Sequence, residues 1–437
     1  MVNLYNQFKN QKILIYGFGK SGMACFSNLN KDNNLNIFDD NKKRIPINKK
    51  KFYITKQKLL KKIYDLIVVS PGIDLNVCSI KNYLKKNKLK IITELDIFYL
   101  KNIKNKKITI TGTNGKSTSS KLLYEVLKKK YKDVRLVGNI GKPILSEKNI
   151  KPNTLFVIEA SSYQIEYSKY FKTDYAVILN ISPDHLERHR TFAKYVNSKF
   201  KLIKNQDKGS FAYIHKNNFY INKILKNTKV RSKVYKINSK INSSFQAKIT
   251  NKYFENRNNK TNLKFIIEIS KKFNVKNNDI LDVVNLFKAL KYRQQIIYKS
   301  KNLLIINDSK STSFSSTINI LKSYRNIYWL VGGQAKKGDK FDLNKKYFKY
   351  IKAYIFGKNK SFFEKKFKNK IRYKTFSSIK RALIKVTYDI KKRPAYSNIL
   401  FSPSAASFDQ FKNFEARGKY FNFLIKKLKV IKAINGK

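Results

Sequence analysis

Cysteine, proline, glycine and acid are all scarce in this 437-residue chain, and each shortage removes a class of answer. Cys25 and Cys78 are the only two cysteines, too few for a disulfide framework, so a reducing, cytoplasmic setting is expected. No window offers the ~18 consecutive apolar residues of a bilayer span, so no membrane partner is expected. The opening Met1-Val-Asn-Leu-Tyr-Asn-Gln-Phe8 lacks the basic, apolar and small-residue regions of a signal peptide, and export is not expected. With 7 Pro and 15 Gly, no linker is marked by a Pro/Gly-rich stretch, and no solenoid period is visible.

Acids number 27 against 95 Lys+Arg, a net charge of +68. Such a balance ordinarily points to polyanions. Here the basic residues are dispersed along the whole chain, with a parallel excess of Asn, Ile, Tyr and Phe, the bias of an A/T-rich coding sequence. Charge so spread builds no single binding face, and no specific nucleic-acid partner is expected.

What is present is a large core. The 42% hydrophobic and 14% aromatic content excludes a disordered chain. At ~150 residues per domain the length suggests about three domains. Short β-branched runs ending in Gly, Ser, Asn or Asp, separated by longer helical-period segments, predict an α/β fold of buried parallel strands. Strands are expected at Lys12–Gly17, Leu35–Asp39, Asp65–Ser70, Lys107–Gly112, Thr154–Glu159, Asp174–Asn180, Leu303–Asp308, Ile327–Gly333, Ala353–Gly357 and Asn398–Ser402. The blocks are residues 1–93, 94–289 and 290–437. Between Gly209 and Asn258 the pattern turns polar and alternating, which predicts a small antiparallel appendage over Lys229–Thr250.

Glycine that survives in so Gly-poor a chain has a backbone reason to be there. Twelve of the 15 fall in short clusters at positions 17, 19, 22, 72, 112, 115, 138, 141, 332, 333, 338 and 418. The strongest local signal is Ile108-Thr-Ile-Thr-Gly-Thr-Asn-Gly-Lys-Ser-Thr118, a strand entering a glycine loop and then an amphipathic helix. Backbone N–H groups at such a helix start, with the Lys116 ammonium, cradle nucleotide phosphates, and the Ser117 hydroxyl reaches a Mg²⁺. The next strands end in Glu159-Ala-Ser-Ser-Tyr-Gln164 and Asn180-Ile-Ser-Pro-Asp-His-Leu-Glu-Arg-His189. A carboxylate and an imidazole at neighbouring strand ends suit Mg²⁺ and the oxygens around it.

These three motifs resemble the central domain of the Mur ligases. Asn307-Asp-Ser-Lys-Ser-Thr312, Val331-Gly-Gly-Gln-Ala-Lys336 and Ser402-Pro-Ser-Ala-Ala-Ser-Phe-Asp-Gln-Phe-Lys-Asn-Phe-Glu-Ala-Arg-Gly418 narrow the resemblance to members that add D-glutamate. It runs from about Ile13 to Leu424. Folylpolyglutamate synthetases share the glycine loop but would lack the final motif, and a basic P-loop ATPase acting on RNA is the rival of another class.

The resemblance implies three domains: an N-terminal Rossmann-like domain for the UDP group, a central P-loop ATPase-like parallel sheet, and a C-terminal Rossmann-like domain for the amino acid. It implies ATP, UDP-N-acetylmuramoyl-L-alanine and D-glutamate as substrates, two Mg²⁺ ions, and a monomer. For ATP it implies Gly112, Thr113, Asn114, Gly115, Lys116, Ser117, Thr118, Asn262, Arg293 and Asp308. For the UDP-substrate it implies Lys20, Ser21, Asp39, Ser70, Gly72, Asn139 and His185. Lys310, Thr312, Lys336, Ser407 and the backbone at Phe414 are implied for D-glutamate. The implied metal set is Ser117, Glu159, His185 and Lys199, the last carbamylated by CO₂, and the catalytic set is Lys116, His185 and Lys199. The chain departs from the family pattern at Asn258, where His is usual, and at Lys291-Tyr-Arg293, where Pro-His-Arg is usual.

Overall fold

The computed structural model describes residues 8–255, 257–336, 338–392 and 395–435. All but Phe8 of the opening stretch read for a leader therefore lies outside the described residues. The architecture is α/β, built on three sheets.

The first sheet has the order β2-β1-β3-β4, from β1 (Lys12–Tyr16), β2 (Asn34–Phe38), β3 (Leu66–Val69) and β4 (Ile91–Ile92), all parallel. The second has the order β10-β9-β8-β5-β7-β6, from β5 (Lys107–Thr111), β6 (Val134–Gly138), β7 (Leu155–Glu159), β8 (Tyr175–Ile178), β9 (Phe211–His215) and β10 (Lys233–Ile237). The third has the order β11-β12-β16-β13-β14-β15. Its strands are β11 (Gln295–Lys299), β12 (Leu303–Asn307), β13 (Ile327–Gly332), β14 (Ile351–Phe356), β15 (Arg372–Thr375) and β16 (Ser397–Phe401). Only β11 in this sheet runs antiparallel to its neighbour.

All ten expected strands are present, most ending a residue before the Gly, Ser, Asn or Asp that closes the run. The antiparallel appendage is a misreading. Residues 211–215 and 233–237 instead extend the central sheet, in parallel, as β9 and β10. β10 is the edge strand of that sheet, with Lys233 and Lys236 exposed, Val234 and Tyr235 half-buried and Ile237 buried, so its polar sequence follows from its position and not from an antiparallel hairpin.

Two compact units result: Met1–Ile181 with Arg188–Leu286, and Ser182–Glu187 with Phe287–Lys437. In the first, Asp96 welds the segment after β4 to the turn before β8. It is fully buried; its Oδ1 accepts from Ser168 Oγ and from the N–H groups of Lys169, Tyr170 and Phe171 at 2.7–3.0 Å, while Oδ2 accepts from the Thr93 N–H and hydroxyl. Six donors on one carboxylate compensate its desolvation. In the second unit Trp329, Phe341, Phe363 and Phe367 pack in one core face and Tyr328, Tyr354, Phe401 and Phe421 in the other.

Candidate active site

In an open parallel sheet, ligands gather beyond the carboxyl ends of strands where the strand order reverses. In the central sheet that strand is β5, flanked by β8 and β7. The loop leaving it is pinned from the β8 side: Asn180 accepts from Thr113 N–H through its carbonyl (3.0 Å) and from Asn114 N–H through its side chain (2.8 Å), and returns a bond to the Asn114 carbonyl. Gly115, at φ +82°, turns the chain into the helix Lys116–Leu127. A Cβ at Gly115 would run into the Asn262 amide, so the helix Arg257–Lys272 brings Asn262 against the loop. Ser117 is buried and Thr118 half-buried on the first helical turn. Lys116 Nζ donates to the carbonyls of Gly112 and Thr113, both at 2.8 Å, and so spans the loop it is expected to serve.

Lys199 arrives from the helix Phe192–Lys204 and is 1% exposed. Its Nζ donates to the Gly112 carbonyl (2.9 Å) and Thr111 Oγ1 (3.3 Å) and lies over the Tyr195 ring, whose hydroxyl bonds Thr113 Oγ1 at 2.9 Å. At the end of β7, Glu159 is 1% exposed. Asn139 Nδ2 donates to its Oε1 at 2.7 Å, and its Oε2 has no hydrogen-bond partner.

A second feature lies at the carboxyl end of the first sheet. A cavity of about 330 Å³ is walled by Gly17, Gly19, Lys20, Ser21, Ser70, Gly72 and Asn139, and also by Arg44, Pro143, Ser161, Tyr163 and Gln164. Five of the residues expected for the UDP-substrate thus share one cavity. Asp39 does not line it; its buried carboxylate accepts from Phe18 N–H (2.7 Å) and Asn41 N–H (2.8 Å), fixing the glycine loop from behind. Arg44 and Tyr163 were not legible as wall residues, because the 3₁₀ turn Lys42–Arg44 and the helix Ser162–Glu166, far apart in sequence, meet there only in the folded chain.

His185 belongs to Ser182–Glu187, so it falls in the other compact unit from Ser117, Glu159 and Lys199. Its backbone is left-handed (φ 55°), and its ring lies between Asp184 Oδ2 (3.5 Å) and Glu187 Oε1 (3.4 Å). The His185 contact, with Lys336 further off, holds the Glu187 carboxyl below its usual range. Lys336 Nζ bonds Asp184 Oδ1 at 2.6 Å. Asp339, whose Oδ2 caps the Phe314 N–H, is pushed up by burial to about 6.

In the same unit, β12 and β16 end side by side, and Ser402 Oγ donates to Asp308 Oδ2 at 2.9 Å while Gln294 N–H donates to Oδ1 at 3.1 Å. Lys310 Nζ lies 4.2 Å from the Phe414 ring centre and the Arg293 guanidinium 5.9 Å from it. The Phe414 carbonyl accepts from Ser309 Oγ, and Ser407 is buried on the segment before the helix Phe414–Lys427. Thr312 is half-buried beside them in sequence.

The match of a family model, the Mur ligase middle domain, covers residues 110–279, the span that carries the glycine loop, Glu159, Lys199 and Asn262. The chain is 32% identical to the UDP-N-acetylmuramoylalanine--D-glutamate ligase of Rickettsia felis, over 97% of this chain and 98% of that protein. It is 33% identical to the protein of the same name from Francisella tularensis, again over 97% and 98%. The chain belongs to the Mur ligase family, of the MurD type. Solved structures agree on the fold: Thermotoga maritima MurF in complex with ADP matches with a TM-score of 0.55 at 14% identity, covering 98% of this chain and all of that one. Thermotoga maritima MurC matches with a TM-score of 0.53 at 16% identity, over 96% and 99%.

The sequence motifs imply a hard cation beside the glycine loop, and the residues present suit one. Among the described residues no three His, Cys, Asp or Glu cluster as a metal cage. Mg²⁺ wants no such cage, being held by one or two carboxylates with water and phosphate oxygens. The unpartnered Oε2 of Glu159 and the buried Ser117 hydroxyl are donors of that kind.

The ligase also carries a stability cost at Asp308. Burial raises its carboxyl from 3.8 to about 7, against the opposing bonds from Ser402 and Gln294. The folded state therefore keeps a proton that the unfolded chain releases, so stability falls as pH rises from about 4 to about 7 and the penalty is complete above that. Asp308→Asn is expected to be more stable than wild type at pH 8 by up to roughly 4 kcal/mol, the advantage vanishing towards pH 4. Thermal melts at pH 8 and pH 5 check this; a variant no more stable than wild type at pH 8 contradicts it.

Proposed function

We propose that this chain is an ATP-dependent, ADP-forming ligase that joins D-glutamate to UDP-N-acetylmuramoyl-L-alanine in the cytoplasmic stage of peptidoglycan synthesis. The observation that carries the reading is full-length similarity to enzymes of that name in a chain whose phosphate loop sits at the sheet's switch point with Glu159 beside it. The domains are residues 1–93, 94–289 and 290–437, and the working form is a monomer. Among the described residues, no helix is long and apolar enough to cross a membrane.

A carboxylate is a poor electrophile, so the terminal L-alanine carboxylate first takes the γ-phosphoryl group of ATP. The amine of D-glutamate then attacks the acyl phosphate, and the tetrahedral adduct expels phosphate. Three anionic reactants meet, so orientation and charge neutralisation carry the rate. The loop N–H groups of residues 112–118 and the Lys116 ammonium receive the ATP phosphates. Asn262, Arg293 and Asp308 serve the rest of the nucleotide. Lys20, Ser21, Ser70, Gly72 and Asn139 receive the UDP end, with Asp39 shaping their loop. Ser117, Glu159, His185 and Lys199 would hold two Mg²⁺ ions, which when bound supply positive charge to the phosphate oxygens. Lys199 serves as its carbamate: its neutral amine adds to CO₂ and loses a proton, turning a cation into an anionic oxygen ligand.

D-glutamate is received by Lys310, Thr312, Lys336, Ser407 and the backbone at Phe414. Lys336→Ala and Ser407→Ala are expected to raise the KM for D-glutamate at least about tenfold, the loss of one charge-assisted contact, with the KM for ATP within about twofold. Steady-state ADP release measures both. Absence of any D-glutamate-dependent ADP release from the wild type would overturn the function, and a shift in the ATP constant alone would overturn the site.

A further inference from the structure

His189 closes the motif Asp184-His-Leu-Glu-Arg-His189, and none of the roles above uses it. Its side chain is buried, with Nε2 3.0 Å from Ser162 Oγ and Nδ1 3.5 Å from Glu166 Oε1. Both partners lie on the helix Ser162–Glu166. Arg188 grips the same helix: its Nε donates to Glu166 Oε2 at 3.2 Å, and its guanidinium lies 5.0 Å from the centre of the Tyr163 ring. The His189 ring packs against two tyrosines, tilted against Tyr163 with ring centres 5.6 Å apart and edge-on to Tyr195 at 5.4 Å.

Those two tyrosines serve different places. Tyr163 lines the 330 Å³ cavity, together with Ser161 and Gln164 of the same helix start. The Tyr195 hydroxyl bonds Thr113 Oγ1 of the glycine loop at 2.9 Å. A helix of five residues has little stability of its own, so its placement comes from what it packs on. An apolar ring at 189 would fill the same space without the cost of burying an imidazole; what the imidazole adds is a directed bond to Ser162. We infer that His189 is a positioning residue of the ligation reaction, holding the cavity wall at Ser161, Tyr163 and Gln164 in fixed register with the glycine loop, so that the carboxylate of the UDP-linked substrate meets the γ-phosphoryl group of ATP.

This rests on reading the cavity as the UDP-substrate site and the loop as the ATP site. His189→Phe keeps a ring against Tyr163 and Tyr195 but takes Nε2 from the Ser162 hydroxyl, and Ser162→Ala takes the hydroxyl from Nε2. Each leaves one buried polar group without that partner, whereas the double variant removes both. Each single substitution is expected to raise the KM for UDP-N-acetylmuramoyl-L-alanine about three- to tenfold, the range for losing one buried hydrogen bond, with the KM values for ATP and D-glutamate within about twofold. The kcat per folded enzyme should fall at least about tenfold, since a displaced carboxylate is poorly placed for transfer. In the double variant the KM for the UDP-linked substrate should be no higher than in the worse single, as for two groups acting as one unit. A purely structural role would instead lower the melting temperature and the active fraction, leaving all three KM values in place. Should His189→Phe fail to fold, Ser162→Ala with calorimetric binding of UDP-N-acetylmuramoyl-L-alanine decides. Wild type that binds while Ser162→Ala binds equally well overturns the inference about His189, as does a double variant whose losses multiply. A raised KM with unchanged kcat overturns the link to the loop. Wild type that does not bind the nucleotide sugar overturns the cavity assignment and, with it, this inference.

Discussion

Lys116→Ala is expected to lower the rate of ATP-dependent ligation by roughly 10²–10³, the loss that follows removal of one preorganised charge at a reacting group. Two things go at once. The ammonium that neutralises phosphate charge is lost, and so are its bonds to the Gly112 and Thr113 carbonyls, which brace the loop across its mouth. The fold should survive, because the loop is also pinned by Asn180 and by the packing of Gly115 against Asn262. Single-turnover ADP formation, with a melting curve as the folding control, checks both halves. Near-normal turnover would remove the phosphate-loop assignment.

Lys199→Ala should lose most activity, and Lys199→Arg should not restore it, since a guanidinium cannot form the carbamate. The side chain is 1% exposed with its Nζ on the Gly112 carbonyl, so its modification would place anionic oxygens at the base of the phosphate loop. An ammonium at that position would repel a divalent cation, whereas a carbamate supplies hard oxygen ligands. Depleting dissolved CO₂ should lower wild-type turnover and readdition should restore it, and ¹³CO₂ should give a carbamate carbon resonance absent from Lys199→Ala. A fully active Lys199→Arg enzyme would contradict the carbamate or the choice of lysine.

The parts of the fold that were legible in the sequence are those where composition left a contrast. Buried central strands such as β5, β7 and β16 read as short runs rich in apolar and β-branched residues and closed by a polar or glycine residue, and those ends are where the loop, Glu159 and Ser402 lie. Edge strands gave no such contrast: every residue of β15, Arg-Tyr-Lys-Thr, is exposed, and β10 mixes lysine with half-buried Val234 and Tyr235. In a chain this rich in lysine and tyrosine those segments look like any surface. Arg44 was invisible for a different reason. It lines a cavity whose other walls come from distant segments, and a surface arginine has no local signature of that. The Asn139–Glu159 pair shows the intermediate case, two residues noted separately whose bond only the register Gly138–Glu159 between β6 and β7 creates.

In the proposed reaction ATP activates a carboxylate by phosphorylation and is not simply hydrolysed. The most direct test supplies UDP-N-acetylmuramoyl-L-alanine labelled with ¹⁸O in its terminal carboxylate, together with ATP and D-glutamate, and reads the released phosphate by mass spectrometry. One labelled oxygen per phosphate, formed only when D-glutamate is present and in step with ADP, is the predicted result, because the bridging oxygen of the acyl phosphate leaves with phosphorus. Phosphate free of label, or release driven by polynucleotide in place of the two substrates, would contradict the account.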